Sequence, residues 1–209
     1  MRRCTSKLMR LARAKESRLH RRRAAQVALA LAFMLARGSA ARAQRSKPAE
    51  YRVKAVYLYD FARFVQWPGD AQAAKPQSAF PVCVLGRDPF GAELQAEING
   101  GSINGQHLEL RHIESPERAR GCRILFISAS EDNRLRGILS ALKSAPLLTV
   151  SDMRDFCSRG GMIQFVLQDN RVRFEVNLRA TDRAGLTLSS QLLKVAAAVQ
   201  GGAAKQPEE

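Results

Sequence analysis

Two apolar stretches decide the fold: FPVCVL at residues 80–85 and CRILFI at residues 122–127. The second is almost continuously apolar, which is typical of a strand that is buried on both faces of a sheet. The segments around them are helices at residues 89–98 and 133–143 and strands at residues 107–113 and 147–150. Because strands and helices alternate, the sequence predicts an α/β fold whose mostly parallel sheet has helices on both faces.

The first part of the domain is a predicted helix at residues 51–64 that is apolar over most of its circumference. One face carries Val53, Tyr57, Phe61 and Phe64. This pattern predicts a helix that is buried in the core or in an interface. The alternative is that its aromatic side chains, together with Trp67, form a ligand box.

The last part of the domain departs from the alternation. Residues 162–168 and 171–178 are two strand-like runs joined by Asp169-Asn170, a pair that favours a β-hairpin turn. Residues 189–199 then predict a helix with Leu192, Val195 and Val199 on one stripe. The predicted fold therefore ends in an antiparallel β-hairpin and a C-terminal helix.

The first 43 residues have the three parts of a secretory signal peptide. A basic segment reaches Arg23, an apolar run spans residues 24–36, and residues 41–43 form an A-x-A site. The apolar run is shorter than the roughly 20 residues that cross a bilayer. We therefore expect cleavage after Ala43 and an exported protein, which is periplasmic in a cell with two membranes. We also expect one domain at residues 44–200 and a flexible tail at residues 201–209.

The net charge of +15 belongs mostly to this leader. Residues 1–43 hold 12 of the 34 Lys and Arg residues and one of the 19 acidic residues, so the remainder carries only +4. The remaining basic residues are scattered and form no stripe interleaved with aromatic residues. This pattern excludes nucleic acid as an expected partner.

The residue types that would carry catalysis or bind a metal do not form a recognisable set. His107 and His112 lie on opposite faces of one predicted strand, so they cannot chelate a metal together. The segment after the first strand, residues 85–91, matches neither G-x-G-x-x-G nor a phosphate-binding loop. Cys157 has no base near it in the sequence. The sequence thus predicts neither an enzyme nor a cofactor or metal site.

Two cysteines are candidates for a disulfide. Cys83 lies near the start of the first strand, and Cys122 begins the third. In a doubly wound sheet of order 2-1-3 these strands are parallel neighbours, so the two starts meet at one edge. A bridge there is geometrically accessible. The alternative is a pair of buried free thiols.

The second predicted hairpin strand carries a candidate ligand or partner surface. Arg171, Arg173 and Glu175 share one face, and two arginines at this spacing can grip a carboxylate or a phosphate. Phe156 precedes the hairpin in a loop bounded by glycines, and Met162 begins it. Alternatively, the charged face is simply a solvated strand surface.

Several motifs together resemble one family. They are RVKAVYLYDF at residues 52–61, FVQWP at 64–68, LTVSD at 148–152, Phe156, GGMI at 160–163, FV at 165–166, RVRFEVN at 171–177 and SSQLLK at 189–194. The chain resembles the YfiR family over essentially all of residues 50–199.

The resemblance implies an exported regulator that is not an enzyme and binds no cofactor. Such a protein would bind and inhibit the periplasmic sensory part of a membrane diguanylate cyclase, lowering cyclic-di-GMP signalling and biofilm formation. It further implies a homodimer, and Cys83 and Cys122 match one of the family's disulfides. Cys157 stands alone where the family has a second bridge, so that bridge is absent. The alternative function is a periplasmic small-molecule-binding protein that serves another membrane receptor.

Overall fold

The computed structural model describes residues 49–69, 79–143 and 145–201. In chain order the elements are α1 (residues 49–64), β1 (Val65–Gln66), β2 (Ala79–Leu85), α2 (Ala92–Ile98), β3 (Ser102–Ile103), β4 (Gln106–Ile113), β5 (Ile124–Ile127), α3 (Leu135–Ala141), β6 (Leu148–Ser151), β7 (Ile163–Gln168), β8 (Arg171–Asn177), α4 (Leu178–Arg183), β9 (Thr187–Leu188), α5 (Ser190–Val195) and β10 (Ala198–Gln200). Short 3-10 helices, Pro116–Ala119 and Ala129–Arg134, follow β4 and β5.

The main sheet runs in the order β3-β4-β2-β5-β6-β7-β8-β10. Five adjacent strands, in the order β4-β2-β5-β6-β7, are parallel. The pairs β3–β4 and β7–β8 are antiparallel, and β10 pairs with β8 in parallel. The predicted mostly parallel α/β sheet with a terminal hairpin and a C-terminal helix is confirmed. The predicted 2-1-3 order is also correct, since β4, β2 and β5 are adjacent.

Alternation along the central strands sends side chains into two separate hydrophobic clusters. Val84 of β2 and Phe126 of β5 join α1 and α2 in one cluster. Leu85 and Ile127, the next residues of the same strands, join α3 in the other. Both faces of the middle strands are thus covered, which explains their almost uninterrupted apolar sequence.

Helix α1 confirms the predicted segment, and its buried face matches the predicted one except at Val53. Leu58 and Phe61 are fully buried, whereas Val53 is 44% exposed. The apolar pattern fixes the rotation of this helix poorly because most of its circumference is apolar. Lys54 fixes it instead, since its ammonium reaches Asp152 at 2.7 Å, at the end of β6.

The other predicted helices are shorter in the structure. Helix α2 begins at Ala92 because Gly91, with φ of 57°, interrupts the backbone after Pro89. The segment predicted as a helix from Asn133 begins as 3-10 turns and becomes α-helical at Leu135.

The hairpin forms as predicted, with Gln168 opposite Arg171. Asp169 and Asn170 have φ of 50° and 58°, the left-handed values that a two-residue hairpin turn requires. These short polar side chains tolerate that region better than others do.

The C-terminal prediction is wrong in its second half. Helix α5 ends at Val195, and β10 then pairs in parallel with β8. Val195 and Val199 are 54% and 43% exposed, so the stripe predicted for one long helix does not exist. The edge of β8 would otherwise leave backbone groups unpaired, and β10 gives them hydrogen-bond partners. This gain outweighs a further turn of α5, which would bury little apolar surface.

The disulfide predicted between Cys83 and Cys122 is present, with 6.0 Å between the two Cα atoms. It links the middle of β2 to Cys122, which lies two residues before β5. The predicted signal peptide at residues 1–43 and residues 202–209 of the predicted tail lie outside the described residues. None of the described helices is both long and apolar enough to cross a bilayer.

We predict that replacing Cys83 and Cys122 with alanine lowers the free energy of unfolding by about 4 kcal/mol. The reason is that the bridge closes a loop spanning 39 positions and restricts the unfolded chain. Urea denaturation under oxidising conditions measures the loss, with Cys157→Ala as the control. A double variant as stable as the parent protein would contradict a stabilising bridge.

Candidate partner surface

The hairpin tip presents an apolar side chain on one face and two guanidinium groups on the other. We define the tip as residues 167–173. Leu167 is 59% exposed, the most exposed of the large apolar side chains in the described residues. Arg171 and Arg173 are exposed on the opposite face of the hairpin. Within the described ranges neither arginine forms an ion pair, so both charges are available to another molecule.

A shallow cleft lies along the charged face of the tip. Its volume is about 490 Å³, and its lining consists of Gln168, Asp169, Arg171 and Arg173. Glu175 follows on the same face and is half-buried. The structure therefore brings the two predicted arginines together in one polar cleft, with the predicted glutamate next to them along the strand.

Aromatic packing holds the base of the hairpin rigidly against α1. The Phe61 ring stacks on Phe165 of β7 at 5.9 Å and meets Phe174 of β8 edge-on at 5.2 Å. Tyr57 adds an edge contact to Phe174 at 5.4 Å. Pairs of this kind contribute about 0.5–1.5 kcal/mol each beyond the burial of their area. The tip thus projects from a fixed base.

The loop before the hairpin is fastened to the same base by hydrogen bonds. The Cys157 amide donates to Gln164 Oε1 at 3.2 Å, and Asn177 Nδ2 donates to the Cys157 carbonyl at 2.9 Å. Gln164 and Asn177 lie at the start of β7 and at the end of β8. The loop and the hairpin therefore form one connected unit.

The three remaining predicted contact residues are buried. Trp67 is 4% exposed, packs edge-on against Phe80 and donates from Nε1 to the Arg123 carbonyl at 3.2 Å. Phe156 is fully buried, and Met162 is 8% exposed. These three side chains support the fold beneath the surface, whereas Arg171, Arg173 and Glu175 face outward.

Phe156 explains one glycine of the motif that precedes the hairpin. A Cβ built on Gly161 would lie 2.1 Å from the Phe156 ring, so no larger residue fits there.

Leu167 is a residue of the tip that the sequence analysis did not identify. The signal was the alternation of Ile163, Phe165 and Leu167, which continues to the tip, where the last of the three is exposed.

A buried ion cluster ties the start of α1 to the end of β6. Lys54 is 3% exposed, and its ammonium pairs with Asp152 and Glu50. The Tyr51 hydroxyl donates to the same Asp152 oxygen at 2.7 Å. Burial and this carboxylate raise the pKa of Tyr51. The phenol therefore stays protonated and donates to Asp152.

The crevice where doubly wound folds usually bind ligands is filled by the chain itself. That crevice lies at the carboxyl ends of β2 and β5, where the strand order reverses. A Cβ on Gly86 would lie 2.5 Å from Ser130 Oγ and 2.6 Å from Glu131 Oε1. Glu131 is 7% exposed and is held by Arg134. This packing leaves little room for a ligand there.

The free thiol of Cys157 is poorly suited to nucleophilic chemistry. Burial, with the nearby Glu175 carboxylate, raises its pKa to about 12, so the thiol stays neutral near pH 7.

His112 bonds to Asp88 at 2.9 Å, at the edge of the sheet where β2 and β4 end. Among the described residues, no three His, Cys, Asp or Glu side chains converge as metal ligands do.

These features define a doubly wound α/β protein with an added hairpin and a projecting tip. A family model described as YfiR/HmsC-like matches residues 51–197. The chain therefore belongs to the YfiR/HmsC-like family. The matched region includes α1 from its third residue onward, the disulfide and the whole hairpin.

Two solved structures resemble the chain more distantly. One is a conserved domain protein from Vibrio cholerae O1 biovar El Tor, with 10% identity and a TM-score of 0.44 over 57% of this chain and 54% of that one. The other is the ABC domain from Streptococcus pneumoniae in complex with L-Trp, with 10% identity and a TM-score of 0.45 over 57% and 55%. The match thus spans about half the length of each.

We predict that Lys54→Met lowers the free energy of unfolding by about 3 kcal/mol, because it leaves Asp152 buried without its cation. Arg52 on the same helix is the matched control. Its side chain is 78% exposed and lies 3.9 Å from Glu93, so Arg52→Met costs under about 1 kcal/mol. Thermal and urea unfolding compare the two variants. Equal losses would contradict the role assigned to Lys54.

We also predict that Cys157 resists alkylation in the native protein. Its burial and raised pKa suppress the thiolate, the reactive form. Iodoacetamide at pH 8 should leave this thiol unmodified for hours and label it rapidly in denaturant. Intact-mass spectrometry counts the adducts, and rapid labelling of the folded protein would show that the thiol is accessible.

Proposed function

We propose that this protein binds the periplasmic sensory part of a membrane diguanylate cyclase and inhibits the enzyme through the hairpin tip. The observation that carries the proposal is the family match over residues 51–197. The YfiR/HmsC-like family supports the broad function, periplasmic regulation of diguanylate cyclase signalling. The specific inhibitory contact and its location on the tip are inferred here.

The tip has the chemistry that a protein interface needs. Exposed Leu167 supplies an apolar anchor, while Arg171 and Arg173 supply charges without intramolecular partners in the described ranges. Arginine is enriched among the residues that dominate binding energy. A partner that encloses the tip, with a hydrophobic pocket against one face and acidic side chains against the other, would complement this combination.

Inhibition across a membrane requires preferential binding to one receptor state. A periplasmic protein cannot reach a cytoplasmic catalytic domain, so it must favour the inactive conformation of the sensory part. Shifting a receptor from mostly active to mostly inactive takes about 5 kcal/mol of differential affinity. The aromatic base formed by Phe61, Phe165 and Phe174 keeps the tip ordered, so little of that energy is lost in ordering it on binding.

Self-association remains a prediction from the family resemblance. Helix α1 offers Val53 and Val56, which are 44% and 40% exposed, as apolar side chains for such a contact. Export likewise rests on residues 1–43 and on the periplasmic family. The absence of enzymatic activity is part of the same proposal, and the neutral Cys157 thiol is consistent with it.

The second candidate function is the binding of a small anion as a signal. The polar cleft of about 490 Å³ favours it, because Arg171 and Arg173 both line it. Two guanidinium groups can hold a carboxylate or a phosphate in bidentate fashion. In that case the protein, with a ligand bound in the cleft, would serve another membrane receptor.

We predict that deleting the gene raises cyclic-di-GMP and surface attachment, and that deleting the partner cyclase as well abolishes both effects. Complementation with Leu167→Asp or with Arg171→Glu/Arg173→Glu should fail although these variants fold. The expected reason is that each substitution removes an anchor of the tip, at a cost of about 2 kcal/mol or more in binding. Intracellular cyclic-di-GMP is the measurement.

Two variants control for exposure and charge. Val195→Asp alters an apolar side chain that is 54% exposed on α5, and Arg118→Glu/Arg136→Glu reverses two exposed charges on other elements. Both should complement fully. If deletion leaves cyclic-di-GMP unchanged under several growth and redox conditions, the inhibition proposal is contradicted. The binding of a small anion is then the favoured function.

A further inference from the structure

A second cleft lies at the edge of the sheet where β6 and β7 begin, on elements that do not include the hairpin tip. It has a volume of about 270 Å³ and opens between the carboxyl end of α3 and helix α4. Residues lining it include Leu142, Lys143, Met162, Ala180 and Arg183. Neither the family match nor the partner proposal assigns a role to this cleft.

The interior of the cleft is aliphatic. Leu142, Met162 and Ala180 are 9%, 8% and 3% exposed, and none of the described residues that line the space is aromatic. Ala180 lies on α4 and Ala184 directly follows this helix, and larger side chains at these positions would close the cleft. The apolar part of a ligand would therefore be a saturated chain held by van der Waals contact.

The mouth of the cleft is cationic. Lys143 and Arg183 are exposed, and within the described ranges neither side chain forms an ion pair. Each lies near the carboxyl end of a short helix, where the helix dipole attracts an exposed cation only weakly. That interaction is too weak to neutralise either charge, so an anion at the mouth would meet two cations.

One buried polar group also faces the cleft. Thr149 is 3% exposed, and its Oγ1 accepts a hydrogen bond from the Met162 amide at 3.2 Å. In the described part of the chain, the hydroxyl hydrogen of Thr149 has no protein acceptor. An oxygen atom of a ligand could accept it.

We propose that this cleft binds a small saturated monocarboxylate. Its chain would pack against Leu142, Met162 and Ala180, and its carboxylate would meet Lys143 and Arg183. Filled at the packing density of protein interiors, 270 Å³ suits a chain of about six to eight carbons. The inference is independent of the partner proposal, because it uses none of the tip residues.

In the test, the full-length gene is expressed, and the protein isolated after any processing by the cell is titrated with sodium octanoate. Methionine methyl groups are labelled with ¹³C, and the Met162 signal is assigned from the spectrum of Met162→Leu. Octanoate should shift the Met162 methyl in a saturable way and leave Met153, which is buried in the other cluster, unchanged. Octylammonium, with the same chain and the opposite charge, should leave Met162 unshifted.

Variants at the mouth and in the interior give the second half of the test. Lys143→Gln and Arg183→Gln should each weaken octanoate binding about tenfold, as expected for the loss of one charge-assisted contact. Ala184→Leu should abolish binding by filling the space. The matched controls Arg136→Gln and Lys194→Gln remove exposed cations elsewhere and should bind like the parent protein.

The proposal is overturned if Met162 does not shift with octanoate up to about 10 mM. It is also overturned if octylammonium binds equally well, or if the mouth variants bind like the parent protein. Cyclic-di-GMP output in the gene deletion is measured separately. Failure of the carboxylate site and failure of cyclase inhibition are therefore distinguishable.

Discussion

The packing of α1 across the sheet is the interaction on which the rest of the structure depends. This one helix contacts Phe90 through Tyr51, Asp152 through Lys54, and the hairpin through Tyr57 and Phe61. It therefore joins the parallel strands to the antiparallel end of the sheet. Without it, Phe165 and Phe174 would face water, at a cost of about 1.5–3 kcal/mol for each exposed ring.

The same packing explains why the apolar and the ionic contacts of α1 have different roles. Burial of Leu58 and Phe61 supplies most of the favourable energy. The hydrophobic effect is non-directional, so this energy changes little when the helix rotates slightly. Lys54 is directional, because its ammonium must reach the carboxylate of Asp152, which lies outside the helix. The ion cluster therefore orients the helix, and the aromatic side chains hold it in place.

Local sequence signals predicted much of this fold. The turn at Asp169-Asn170 was predictable because few residue pairs adopt two consecutive left-handed conformations. The disulfide was predictable because the strand order placed Cys83 next to the start of β5. The exact rotation of α1 was not predictable, because it depends on Lys54, whose partner Asp152 is 98 residues away in the sequence.

The candidate site was predictable only in part, for a similar reason. Alternation identified Arg171, Arg173 and Glu175 as one face of a strand, and the structure agrees. Burial of Trp67 and Phe156 depends on neighbours that are distant in sequence, such as Phe80 and Arg123 for Trp67. The exposure of Leu167 depends on where the covering helix stops, and β10 forms only because β8 has an unpaired edge. None of these tertiary effects is visible in a local pattern.

The small sheet formed by β1 and β9 has a consequence for the time course of folding. It pairs Val65 with Leu188, so a strand from the beginning of the domain meets one from its last quarter. Such a long-range pairing raises the contact order of the domain, and topologies with a high contact order fold slowly. A chain that emerges from a ribosome or a translocation channel cannot complete the sheet until its final segment is free. Until then the edge of β8 is uncovered, which makes the unfinished domain a natural substrate for chaperones.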